Sequence, residues 1–128
     1  MGCWEHVARP FRGERTGDMF QLPHHKLIAF GVAQELLVSV RDARIRDAGL
    51  RDQALRAAKS ACLNAAEGAG RVTRADKARA FTIARAEAVE AAAAVEIAAM
   101  AGDADAAAAE RVNAIAHRLV GMLTRLVR

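Results

Sequence analysis

The run from Ser60 to Ala99, SACLNAAEGAGRVTRADKARAFTIARAEAVEAAAAVEIAA, leaves the chain around it few ways to fold. Ala65, Ala66 and Glu67 favour helix, and Gly68 and Gly70 predict its end, because glycine accepts the left-handed conformation that closes a helix C-terminus. Three residues on, Thr73 and Asp76 form a T-x-x-D pattern in which the hydroxyl can accept from a first-turn amide. A new helix is therefore expected from Arg74. A link this short forces its two flanking helices antiparallel and into contact.

The rest of the chain extends this hairpin. Leu27, Ile28, Val32, Leu36 and Val40 recur at helical spacing, predicting a helix over about 24–46. Ala54, Ala58, Ala61 and Ala65 step 4-3-4 in a second over 50–67. Phe81, Ala84, Ala88, Ala91, Val95 and Ala98 step 3-4-3-4-3 in a third over 74–101. Gly102 should end it, and Asp103 or Asp105 can cap a fourth over 105–128, with Val112, Ile115, Leu119, Met122 and Leu126 inward and Ala116, Val120, Leu123 and Val127 widening the stripe. The expected fold is all-α, an antiparallel up-down-up-down four-helix bundle over residues 22–128. Residues 1–21 lack periodicity and mix Gly, Pro and charges, which predicts a poorly ordered tail.

Asn64-Ala65-Ala66-Glu67-Gly68 followed by Gly70-Arg71, then Arg79 to Arg85 and Glu90, resembles one family of four-helix bundles. It comprises the proteins encoded in 23S ribosomal RNA intervening sequences and the accessory proteins of diversity-generating retroelements. Arg56 to Cys62 fits its pattern just ahead of Asn64, and the likeness covers about residues 22–99. Ala86-Glu87 depart from a Gly-Ser pair usual in the third helix, and the aromatics usual in the first are largely missing. The resemblance implies a homo-oligomeric ring, a pentamer in that family, and a role as accessory to an RNA- or retroelement-associated activity.

Composition independently favours self-association. Hydrophobic residues make up 53% of the chain but aromatics only 4%, alanine filling the difference, and each alanine buries little area. Contact between copies would thicken so thin a core. No run of about 18 apolar residues lacks charge, which argues against a membrane span. The first residues carry Arg9, Arg12 and Arg15 around Pro10 and Gly13 with no apolar stretch of a signal peptide, so a cytoplasmic location is expected.

The net charge of +4 is unevenly spread along the chain. Residues 51–85 hold eight Lys/Arg against three acids, 86–110 six acids and no base, and 111–128 four arginines and no acid. Up-down connectivity would gather Lys26, Arg71, Arg74, Lys77, Arg79, Arg125 and Arg128 at one pole, with His24 and His25 nearby and only Glu67 and Asp76 opposing. The other end, with Arg41, Arg44, Arg46 and Arg51 against five aspartates, reads as balanced. A basic pole suits nucleic-acid phosphates, bound in a salt-sensitive, sequence-tolerant way. The competing reading is a protein-interaction scaffold whose charges serve solubility alone.

Catalytic chemistry has no support in these residues. Asn64 and Glu67 read as structural polar groups that satisfy backbone at the reversal or form a buried pairing with Arg71, and Glu90 as an ion-pair member, since a lone carboxylate is a poor catalyst. His24 and His25, being adjacent, should diverge on a helix rather than share a metal, and His6 and His117 lack partners at ligand spacing. The Glu-x-x-His signature of di-iron bundles is absent, and Cys3 and Cys62 read as free thiols. The expectation is a protein with no enzymatic activity, metal or cofactor.

Overall fold

The expected apolar seams close into four α-helices: α1 (Ile28–Asp42), α2 (Ala48–Gly70), α3 (Arg74–Met100) and α4 (Ala106–Val127), preceded by a 3-10 turn at Pro23–Lys26. The computed structural model describes residues 21–128, so the expected tail falls, but for Gln21, outside the described residues. No strand occurs among the described residues. Each helix packs on the next in sequence and α4 closes on α1, a packing consistent with a bundle.

The seams of α2 and α3 are buried as their spacing predicts, from Ala54, Ala58, Ala61 and Ala65 to Phe81, Ala84, Ala88, Ala91, Val95 and Ala98. Leu36, Leu119, Leu123, Val95 and Val112 supply the bulk between these alanine faces. On α4 Val112, Ala116, Leu119 and Leu123 are buried, Ile115, Val120, Met122 and Val127 pack partly buried against the core, and Leu126 alone of the expected stripe is exposed. Polar links join the helices at intervals. Cys62 Sγ donates to Ala33 O at 3.2 Å, Arg85 Nε to Thr124 Oγ1 at 2.8 Å and Arg118 Nη2 to Glu35 Oε1 at 2.7 Å.

Three local expectations are corrected. The first helix does not run from 24 to 46. Its start is the 3-10 turn, broken from α1 by extended Leu27, and Ile28 is exposed. Its end comes at Asp42, because Arg44 turns the chain with a left-handed φ of 49°. The rings of His24 and His25 do not diverge but lie tilted at 40° with centroids 4.1 Å apart, the tighter 3-10 turn bringing them together.

The third correction concerns the glycines of the reversal. Gly68 does not stop α2, which runs on to end at Gly70, and neither glycine takes the left-handed conformation. Gly68 is buried instead beneath the Phe81 ring, where an added Cβ would stand 2.6 Å from Phe81 Cδ1. It is a contact glycine, letting α2 approach α3. The turn itself is made by Arg71, whose extended backbone leaves the helix while its N–H still donates to Glu67 O at 3.0 Å.

Candidate nucleic-acid interface

The α2–α3 link is where the sequence concentrates basic residues, and backbone satisfaction explains much of their placement. Thr73 caps α3, its hydroxyl accepting from Asp76 N at 3.1 Å. The orphan carbonyls that end α2 are met from the facing helix: Lys77 Nζ donates to Ala69 O at 3.0 Å and Gly68 O at 3.3 Å. Arg74 Nη2 reaches the last residue of the chain, donating to Arg128 O at 2.7 Å. These contacts bring the start of α3, the end of α2 and the end of α4 to one place.

Arg71 is committed differently. Its Nη2 lies 2.6 Å from Glu67 Oε2 across one helical turn, with Nε at 3.2 Å from the same oxygen. The hydrogen bond and charge of Glu67 hold the guanidinium above its ordinary pKa. Both side chains are about half exposed, so the pair contributes little to stability. Beside it lies a shallow cleft of about 270 Å³ lined by Glu67, Arg71, Asp76, Arg79 and Ile83.

The seven expected basic residues therefore fall into groups. Arg71, Arg74, Lys77, Arg79 and Arg128 are gathered around the α2–α3 link, and of these Arg71 shares its charge with a carboxylate. Lys77 donates to neutral carbonyls and keeps its charge, whereas Arg74 donates to an oxygen of the terminal residue, Arg128. Lys26 sits on the 3-10 turn, which packs against α2 and α1. Arg125 is exposed in the last turn of α4, outside the contacts that gather the others.

The expected structural polar residues divide similarly. Asn64 Nδ2 donates to Ser60 O at 2.9 Å and to Ser60 Oγ at 3.1 Å, and Ser60 Oγ donates to Glu87 Oε2 at 2.8 Å. Asn64 thus belongs to a chain of hydrogen bonds linking α2 to α3. Glu87, a departure from the family pattern, completes it; its link to Ser60 has no signal in linear spacing. Glu90 is exposed on α3, and none of the ion pairs among the described residues reaches it.

Nothing convergent accompanies these groups. Among the described residues no group of three or more His, Cys, Asp or Glu could hold a metal. His25 Nδ1 accepts from Leu22 N at 3.0 Å, and burial, with His25 beside it, lowers the pKa of His24. No described helix is long and apolar enough to cross a membrane.

Comparison with known proteins agrees with the motif around Asn64. A family model described as 23S rRNA-intervening sequence protein matches residues 27–125, from just before α1 to the last turn of α4. No curated protein matches the chain.

Proposed function

The chain belongs to the family of 23S rRNA-intervening sequence proteins, and on that premise we propose that it is a non-enzymatic helical bundle that self-associates and binds nucleic acid through the basic end formed at the α2–α3 link. The reading includes an up-down-up-down arrangement of antiparallel helices. Contacts at both ends of α3 favour it: Arg74 meets Arg128, and Arg46 N donates to Asp103 O at 2.8 Å. Its place of action is the cytoplasm, as accessory to an RNA- or retroelement-associated activity.

The observation that carries the nucleic-acid reading is the gathering of Arg74, Lys77 and Arg128 with Arg71 and Arg79 where Glu67 and Asp76 are the nearby acids. The Lys77 ammonium, bonded to carbonyls, retains its full charge, and the guanidiniums keep remaining donors for phosphate oxygens. Lack of interleaved aromatics there favours backbone contact over base stacking.

Self-association is supported by the outer side of α3. Ile83, Ala86, Glu90, Ala93, Ile97 and Met100 step 3-4-3-4-3 along it, a seam facing away from the bundle's own core. A homo-oligomeric ring, a pentamer by family likeness, would cover that seam and set the basic ends side by side. The same apolar seam is what favours the competing scaffold reading.

Fluorescence anisotropy with duplex and single-stranded RNA at two salt concentrations tests the proposal. Affinity should fall steeply with salt, and Arg71→Ala/Arg74→Ala should weaken binding and lower the salt slope by roughly one unit per lost phosphate contact. A signal flat in all conditions would leave the scaffold reading in possession.

A further inference from the structure

The corner between α1 and α2, balanced in charge when counted along the chain, gathers four of its arginines around one cleft. Here the backbone leaves α1 through left-handed Arg44. Arg46 then ties the corner to the α3–α4 link, its N donating to Asp103 O and its Nη2 to Gly102 O, while Arg51 Nη1 donates to Ile45 O at 3.2 Å. The folded corner surrounds a cleft of about 480 Å³ lined by Arg41, Arg44, Arg46 and Arg51 and by buried Val40 and Ile45. That volume falls within the range of small-ligand sites, about 300–1,000 Å³.

No carboxylate lines this cleft. Of the acids nearby in sequence, Asp42 accepts from Arg41 Nε at 3.2 Å, Asp47 is held by Leu50 N at 2.9 Å as the cap of α2, and Asp52 is exposed on α2. Arg46 and Arg51 are bonded to carbonyls, which leaves their charges whole, and the Arg44 guanidinium makes no hydrogen bond or ion pair among the described residues. Arg41 is ion-paired with Asp42 at 3.2 Å, which leaves Arg44, Arg46 and Arg51 as cleft guanidiniums with no carboxylate partner. Planar forks of this kind match phosphate oxygens because each can donate two parallel hydrogen bonds.

We infer that the α1–α2 corner is an anion site for a ligand carrying neighbouring phosphates, either a free polyphosphate or successive phosphates of a nucleic-acid backbone. It is separate from the end proposed above to bind nucleic acid. The two surfaces stand at either end of α2, whose 23 residues span roughly 35 Å at the helical rise. The corner differs from the α2–α3 cleft in its lining, which has arginines alone as charged groups where the other includes Glu67 and Asp76.

Isothermal titration of the full chain with tripolyphosphate tests the site, and RNA anisotropy with tripolyphosphate as competitor identifies the source of phosphate. Arg44→Gly is the informative variant, since glycine keeps the left-handed backbone while deleting one guanidinium, and thermal melting checks its fold. Tripolyphosphate should bind wild type and bind Arg44→Gly about tenfold more weakly, with Arg41→Ala weakened in the same sense. Displacement of RNA by tripolyphosphate, sensitive to Arg44→Gly, assigns the site to a nucleic-acid backbone. Binding of tripolyphosphate without displacement assigns it to a free polyphosphate. No binding of tripolyphosphate, or affinity unchanged in both corner variants, overturns the inference. RNA affinity lost in Arg71→Ala/Arg74→Ala, with tripolyphosphate affinity unchanged in both corner variants, would sink the corner site and leave the α2–α3 reading standing.

Discussion

Gly68 and Gly70 are two residues apart and have opposite reasons to be small. A methyl group on Gly68 meets the Phe81 ring, whereas nothing lies within 4 Å of the corresponding position at Gly70. Gly68→Ala should cost about 1–3 kcal/mol through overpacking, and Gly70→Ala should be neutral or stabilising by less than about 1 kcal/mol. Thermal melts of both variants check the contrast; equal effects would mean that α2 and α3 do not approach at Gly68. Cys62 gives a second test at this scale. Burial pushes its thiol from 9.0 up to about 11, with Sγ donating to Ala33 O. A folded-state pKa raised above the unfolded one means stability is complete below pH 9.0 and is lost as pH climbs toward about 11. The loss should be on the order of 2 kcal/mol, visible as a falling denaturation midpoint that Cys62→Ala flattens.

Helix boundaries separate what spacing reveals from what it hides. The interiors of α2 and α3 were legible because small and apolar residues recur at heptad steps, and every one of those expected seam positions is buried. The ends were less so. Thr73 announced α3 through its hydroxyl, but the end of α1 depends on a left-handed arginine, and no side-chain preference advertises that conformation. The same reason hid the Arg41–Arg51 cleft, which exists only once the corner has turned, whereas the Glu67–Arg71 pair follows from one-turn spacing. Capping gives the test. Thr73→Ala removes an acceptor from Asp76 N and should cost about 1 kcal/mol, with faster amide exchange in the first turn of α3. Asp105→Ala should cost only a few tenths, since Asp105 makes no capping bond and offers α4 little beyond its charge.

At the scale of the whole molecule, the unusual quantity is the apolar surface left on α3. Ile97 is 51% exposed and Met100 83% exposed, on the longest helix of the bundle, while the interior relies on alanine. A monomer would hold these side chains in water without return, and a second copy laid along the seam would bury them. Glu90 lies mid-seam, where a symmetric pairing of two α3 helices would set like charges together. The outward side of α2 offers Arg56 and Lys59 beside exposed Leu63, so a head-to-tail contact of α3 on a neighbour's α2 satisfies both charge and burial. Head-to-tail contacts that close form rings. Light scattering should thus give wild type a mass several times the 13.7 kDa of one chain. Ile97→Asp should return it to that mass with its far-ultraviolet dichroism intact, because an exposed substitution costs a folded monomer within about 0.5 kcal/mol. Glu90→Ala should weaken assembly if the neighbour presents Arg56 and Lys59, and strengthen it if two α3 helices pair symmetrically, so the sign of that change distinguishes a ring from a two-fold dimer.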